Sequence, residues 1–586
     1  MVAYTGFLSA LASFGIVKNA TIPQPATTNS ASVAASDGSI CNAQFVDNLS
    51  LPSEDSATVT RAASLAITQQ EFLHVTRLGI SKGPGGLFGS QFAVGDQTEF
   101  YSKIADWEND ISARALKARV DFQISGYKVE NLDSYNIIYD YLDTPKWVGR
   151  DWSSDEFFGR ARMTYAYWFL QPISKTLPFA VTDAQVAGLL DDDETLESAL
   201  NDEKLYVVDH SAYFALGIIN KHKYHLTFPV ALFYYSNKKE QLMPIAIQIH
   251  PVTHPELVFT PNSGSGDWLL AKLIVNGVDF WRSNDVDHFI DTHIAIEPIQ
   301  TSKFRTLAPN HPVNVIVSTL MKQNTGIVAS GQLLLLTDDG VFELNAASTL
   351  AEELALAAKQ ATWSFFDDKP VTDPRLTKFP AFKYLNLHYE AIYDLVKNLI
   401  NIYYDSDEAV KNDHEVQAFA HDASSFFHGN IAGFPKSFHS KKDLIDTLAL
   451  LQYKVSVRHH AYNSFTFQWA GGFPLAPWAF YKPIPTTSDT VTLENIIEWL
   501  PPIDHAARAW SSINGFFVPL KQHEQTYWIY NDTAIATPKT ACALKGYRDA
   551  MDILADAIRM DKQAGANELI PWTTLDPHEL PSYVYI

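Results

Sequence analysis

The chain has 586 residues, 46% of them hydrophobic, 13% aromatic and 19% charged, and its 44 Lys+Arg against 66 Asp+Glu leave a formal net charge of −22. That is a globular composition with apolar material for a very large core, and its negative average surface repels phosphate backbones at long range, which argues against a nucleic-acid partner. Cys41 and Cys542 are the only cysteines, so a disulfide framework or a thiolate-rich zinc or iron–sulfur site is ruled out and one long-range bridge is the maximum.

At the N-terminus, Phe7-Leu8-Ser9-Ala10-Leu11-Ala12 followed by Ser13-Phe14-Gly15 has the look of a short apolar leader, although no Lys or Arg precedes it. Asn-x-Ser/Thr sequons at Asn19, Asn48 and Asn531 point the same way, toward secretion, with the cytoplasm as the alternative. Residues 1–60 are rich in Ala, Ser and Thr without periodicity and are expected to form a leader or linker, with residues 61–586 as one large domain. Lys82-Gly83-Pro84-Gly85-Gly86-Leu87-Phe88-Gly89 lacks the spacing of a nucleotide-binding loop and reads as a turn. Nowhere do about 18 consecutive apolar residues occur, so no bilayer-spanning helix is predicted.

Short apolar runs at residues 205–208, 226–235 and 244–249 predict strands of a small β insertion. Apolar residues at i, i+3, i+4 spacing predict long helices over residues 269–297, 350–366, 388–404, 444–465 and 541–560. The expected fold is therefore mainly α.

Two of these helices carry chemistry. On the first, His288 shares a face with Asp285 (i−3) and Asn284 (i−4); on a later one, His459 and Asn463 are i and i+4. Two helices each presenting an inward His and an oxygen donor match the way bundles build metal sites, and a His/oxygen donor set suits non-haem iron or manganese. The chain also ends on apolar residues, Tyr583-Val584-Tyr585-Ile586, which would draw the terminal carboxylate inward, where a cation could compensate it. Each of these residues also has an ordinary structural reading, as a core histidine, a solvated helix-face carboxylate or a surface strand.

Further motifs lie in order along the chain: Asp155-Glu156-Phe157-Phe158-Gly159-Arg160-Ala161-Arg162, Pro244-Ile245-Ala246-Ile247, Trp268-Leu269-Leu270-Ala271-Lys272, Asp291-Thr292-His293-Ile294-Ala295-Ile296-Glu297-Pro298, Gly433-Phe434-Pro435 and Ser456-Val457-Arg458-His459-His460-Ala461-Tyr462-Asn463. Together with the terminal Pro581-Ser582 to Ile586, they resemble the lipoxygenase family over roughly residues 100–586. The resemblance implies a large lipoxygenase-like helical bundle with a small β insertion. It also implies one iron or manganese ion, held by His288 and His459 through imidazole, by Asn463 as a weak oxygen donor and by the Ile586 carboxylate.

In this register the family's further ligand histidine, five residues before His288, is replaced by Ser283, while His293 falls on the family's Thr-His position. An i, i+5 pair lies about 140° apart on a straight α-helix and converges on one ion only if the helix carries a π-bulge. Asp285 is the other candidate for the vacant place.

The resemblance also aligns Ala329 with a small residue that biases the face of oxygen attack, and Phe465 and Trp469 suit an apolar substrate channel. The implied activity is insertion of O2 into a cis,cis-1,4-pentadiene of a polyunsaturated fatty acid or related polyene, giving a hydroperoxide oxylipin. Ser283 motivates two alternatives, changed chemistry on another polyene or hydroperoxide and a catalytically silent lipid-binding relative. No family-like β-sandwich precedes the catalytic part, and leader, sequons and bare catalytic domain together resemble the family's secreted manganese branch.

Overall fold

The computed structural model describes residues 48–72, 91–216, 223–335, 337–349, 351–352, 355, 364–515 and 517–585. The predicted leader segment 7–12, Asn19, the glycine run 82–89, Ile586 and most of the helix predicted at 350–366 lie outside these residues.

The β insertion is a five-stranded antiparallel sheet in sequential order, β1 (Leu170–Pro172), β2 (Leu205–Asp209), β3 (Val230–Ser236), β4 (Gln241–Gln248) and β5 (Val258–Phe259). Tyr206, Val208, Ala231 and Phe233 face the main core, while Leu205, Val207, Leu232 and Tyr234 face a smaller one, so both faces of the sheet are covered. This explains why β3 and β4 read as continuous apolar runs rather than alternating ones. Helix α1 (Asp155–Met163) packs directly on β4. Gly159 permits that approach, because a Cβ there would stand 1.9 Å from the Leu242 carbonyl oxygen.

Helix α2 (Ser265–Arg282) runs through the centre, and nearly every residue on it is buried. Its polar groups are correspondingly paired: Lys272 Nζ donates to Asp155 Oδ1 at 2.7 Å, and Asp279 accepts from Arg162 at 2.5 Å and from His210 at 2.6 Å. Helices α3 (Pro380–Tyr403), α4 (Lys441–Gln452) and α5 (Ala541–Met560) pack together on one side, α3 between the other two. The mainly-α expectation holds, and the predicted helix at 541–560 matches α5 residue for residue.

The boundary expected at residue 61 lies earlier. Leu49 and Leu51 are buried in the main core, Ser50 N donates to Asn310 O at 3.1 Å, and the buried Arg61 pairs with Glu415 at 2.5 Å and Asp55 at 3.0 Å. Two leucines suffice to dock a segment whose Ala/Ser/Thr composition carries no periodic signal.

His388 on α3 is fully buried, and its Nε2–H donates to the Leu575 carbonyl at 2.6 Å. Burial pulls its pKa down to about 4. Between pH 6.5 and 4 the unfolded chain takes up a proton there that the folded chain refuses, so this residue's contribution is present at neutral pH and is lost on acidification. Between pH 7 and pH 5 the loss is about 2 kcal/mol. The measurement is urea unfolding at several pH values, with His388→Gln expected to flatten the slope in that window.

Candidate metal centre

At Ser283 helix α2 changes its winding and continues as a π-helix to Ile294. The i→i+5 hydrogen bonding of a π-helix stacks residues five apart, which brings His288 and His293 to one face. The second element has the same character: α4 passes into a π segment, Tyr453–Arg458, then an α-helical turn, His459–Ser464, then another π segment, Phe465–Ala470. His459 thus enters the centre from the opposite side.

The three imidazoles meet through their Nε2 atoms, 3.1 Å between His288 and His459, 3.3 Å between His288 and His293, and 2.9 Å between His293 and His459. Metal–imidazole bonds run about 2.0–2.1 Å, so two nitrogens at right angles about one ion stand about 3 Å apart. The observed triangle fits three adjacent positions on a single ion. Desolvation holds all three rings neutral: His293 is pulled down to about 4, and His288 and His459 well below the ordinary imidazole range, with mutual repulsion adding to burial. Neutral nitrogens facing one another in a dry site are what a cation requires.

Second contacts support the arrangement. Asn324 Oδ1 lies 3.2 Å from His293 Nδ1 and accepts its proton, which leaves the Nε2 lone pair pointing at the centre. Asn463 Nδ2 donates to the Tyr585 carbonyl at 3.0 Å, while its Oδ1 is buried without a protein partner among the described residues. That orphaned oxygen is consistent with the weak-donor role implied for Asn463.

Among the described residues, the His, Cys, Asp and Glu side chains whose donor atoms all lie within 4.8 Å of one another are His288, His293 and His459. This corrects the sequence reading. His293, set aside there, completes the set of imidazoles, and Asp285 is not part of it. Ser283 is buried at the start of the π-helix with its hydroxyl unpartnered, and Asp285 is buried outside the trio. The error came from the family register, which placed His293 on the Thr-His position rather than on a ligand position. The five-residue spacing of His288 and His293, visible in the sequence, was the signal that a π-helix was in use.

The C-terminal segment runs inward as expected, with Val584 and Tyr585 buried. It is pinned by Thr526 N to Leu580 O at 2.7 Å, Ser582 N to Glu524 O at 2.9 Å and Tyr583 OH to Glu524 Oε1 at 2.8 Å. Lys103 donates to Tyr583 OH at 2.9 Å and sits 3.3 Å above the centre of the Tyr585 ring.

A narrow apolar cavity opens beside His288, walled by Phe289, Ile327, Gly331, Leu335, Phe342 and Phe467. The expected channel residues Phe465 and Trp469 are not among its walls. Trp469 stacks on Tyr165 with ring centres 5.0 Å apart, and Phe465 packs against Trp168 at 5.1 Å, both in the aromatic core. The segment carrying them presents Phe467 to the cavity instead. Ala329 lies on the helix Asn324–Leu334 with its side chain outside the described residues. The small residue that borders the cavity is Gly331, where a Cβ would stand 2.4 Å from Phe289 Cε2.

A family model described as Lipoxygenase matches residues 176–373 and 383–499, more than half of the chain. The chain belongs to the lipoxygenase family. It is 25% identical over 575 residues to the manganese lipoxygenase of Fusarium oxysporum (strain Fo5176), covering 92% of each chain. It is 26% identical over 464 residues to the polyunsaturated fatty acid lipoxygenase ALOX12 of Mus musculus, covering 75% of this chain and 67% of that one. A solved structure titled "Manganese Lipoxygenase" has the same fold, with a TM-score of 0.79 at 21% identity over 92% of this chain and all of the other. As a lipoxygenase the chain is an oxygen-incorporating oxidoreductase that uses one iron or manganese ion, and the His288–His293–His459 cluster fits such an ion.

Proposed function

We propose that this lipoxygenase inserts O2 into a cis,cis-1,4-pentadiene unit of a polyunsaturated fatty acid and releases the hydroperoxide. The observation that carries this reading is the convergence of three neutral imidazole nitrogens at the wall of an apolar cavity. His288, His293 and His459 would hold the ion, with Asn463 Oδ1 and the Ile586 carboxylate as oxygen donors. The ion supplies a one-electron acceptor and a base for removing hydrogen from the doubly allylic carbon.

The remaining work belongs to the chain. The cavity as it stands is about 30 Å³, roughly the volume of one water molecule, so an acyl chain would enter only as the aliphatic and aromatic walls part, and those walls would then exclude water around it. Asn324 keeps His293 in the tautomer that points Nε2 inward. The cavity offers little to a charged or highly polar substrate, which favours an acyl chain. The motive for changed chemistry or a silent relative was a missing imidazole, and the third imidazole of His293 beside His288 and His459 favours the dioxygenase reading over both. The reading includes export: the sequon residues Asn48 and Asn531 are both exposed and accessible to glycosylation.

The test is metal analysis of the purified protein followed by oxygen uptake on linoleate with a rise in conjugated-diene absorbance. One iron or manganese per chain with turnover supports the reading, whereas a metal-loaded protein that consumes no oxygen on any 1,4-diene acid overturns it. Within this reading, Gly331→Ala drives a methyl group into the Phe289 ring beside His288. Overpacking of this kind costs about 1–3 kcal/mol, so a fall in kcat/KM of about tenfold is expected. A shift in the ratio of hydroperoxide isomers, read by chiral chromatography, should accompany it.

A further inference from the structure

We infer that Asn531 carries an N-linked glycan whose first N-acetylglucosamine seats in a cleft beside Trp528, over the bonds that hold the C-terminal tail. The inference deepens the export reading given above and rests on it. Asn531-Asp532-Thr533 is a sequon. In the secretory compartment Asn531 Nδ2 would attack C1 of an oligosaccharide carried on a lipid diphosphate. The Nδ2–C1 bond forms, the C1–O bond breaks with its electron pair leaving on the lipid diphosphate, and one Nδ2 proton passes to a carboxylate of the transferring enzyme.

The fold then presents this amide on a fixed turn. Ile529 and Tyr530 are buried, Tyr530 OH donates to Gln452 Oε1 at 3.1 Å, and Asn531 directly after them is exposed. Asn531 N donates to Trp528 O at 3.0 Å, and Thr533 donates to Tyr530 O through its N at 3.1 Å and its Oγ1 at 2.8 Å. Tyr530 takes φ +64°, the left-handed region that a bulky residue adopts only where its surroundings dictate it. The bend therefore sets Trp528 and Asn531 side by side. Arg548 joins them, since its Nη1 donates to Asn531 Oδ1 at 3.5 Å and its guanidinium lies 5.7 Å from the centre of the Trp528 ring. With Oδ1 engaged, Nδ2 remains for the sugar.

The same two residues wall a cleft of about 390 Å³, within the range of about 300–1,000 Å³ for small-molecule sites, together with Ser318, Thr319, Glu524 and Tyr583. An indole beside hydroxyls and a carboxylate is the mixed lining that suits a saccharide, whose C–H face packs on an aromatic ring while its hydroxyl and acetamido groups hydrogen-bond. Because the attachment residue is itself part of the wall, the sugar is tethered at its seat and needs no affinity of its own to reach it. Glu524 accepts from Tyr583 OH at 2.8 Å and pairs with Lys103 at 3.1 Å, so a sugar seated there shields from water the bonds that secure the tail.

The experiment is peptide mass spectrometry of the full chain secreted from a eukaryotic host, followed by timed digestion with a peptide-N-glycosidase. The peptide bearing Asn531 is expected to carry a hexosamine-based glycan that the glycosidase releases readily from unfolded protein and slowly from native protein. Trp528→Ala is expected to speed native release by about tenfold. In Asn531→Gln, amide exchange across residues 580–585 should quicken, whereas Asn48→Gln should leave it unchanged. An unmodified Asn531 in secreted protein overturns the site, and equal release from native and unfolded wild type overturns the seat without reliance on any variant. The same chain behind a heterologous signal peptide separates the two readings. If only that form reaches the medium and its Asn531 is glycosylated, export by the chain's own N-terminus fails while the glycan site stands.

Discussion

Replacing His293 by Ala is expected to strip the ion from the protein and to lower oxygen uptake by at least about a thousandfold. The size follows from position. Removing a group that merely supports a ligand costs about 10–100-fold in metal affinity, and His293 is one of only three imidazoles in the cluster. His288→Ala and His459→Ala should match it. Ser283→His provides the complementary result: because His293 already fills the place, metal content should not rise. Metal analysis of the four variants decides between the triad seen here and a site built around Ser283 or Asp285. Normal metal content in His293→Ala would remove that residue from the centre.

Deletion of Ile586 is expected to be the second most damaging change. Leu580 through Tyr585 are held inside by main-chain bonds to Thr526 and Glu524, and the Tyr585 carbonyl is already gripped by Asn463. In the proposed reading, the Ile586 carboxylate is the anion that would offset the charge of the bound ion. Loss of metal with little change in thermal midpoint is the expected outcome, because the buried aromatic anchors of the tail remain. Lys103→Met, which releases Tyr583 and Tyr585 from their cation, should weaken metal binding by about tenfold without abolishing it. Metal retention after the deletion would show that the carboxylate plays no part.

Much of this protein was legible in its residues. Continuous apolar runs gave the strands, and helical spacing gave the central and C-terminal helices. The imidazoles of His288 and His459 and the apolar ending were each recognisable as unusual before any coordinates. Two expectations failed for different reasons. The family register put His293 on a non-ligand position, whereas the π-helical winding from Ser283 brings it to the face of His288. Aromatic character alone suggested Phe465 and Trp469 for a channel, but within the π segment Phe465–Ala470 it is Phe467 that reaches the cavity.

Hydrophobic spacing determined the helical class, and ordered motifs carried the resemblance to the family and, through it, the expectation of a metal centre, because motifs and hydrophobic period are properties of the chain itself. Only the tertiary structure decided which donors share an ion and which side chains wall the cavity. Those depend on a change of helical winding at Ser283 and on the meeting of two segments 166 residues apart, and neither leaves a periodic trace along the chain.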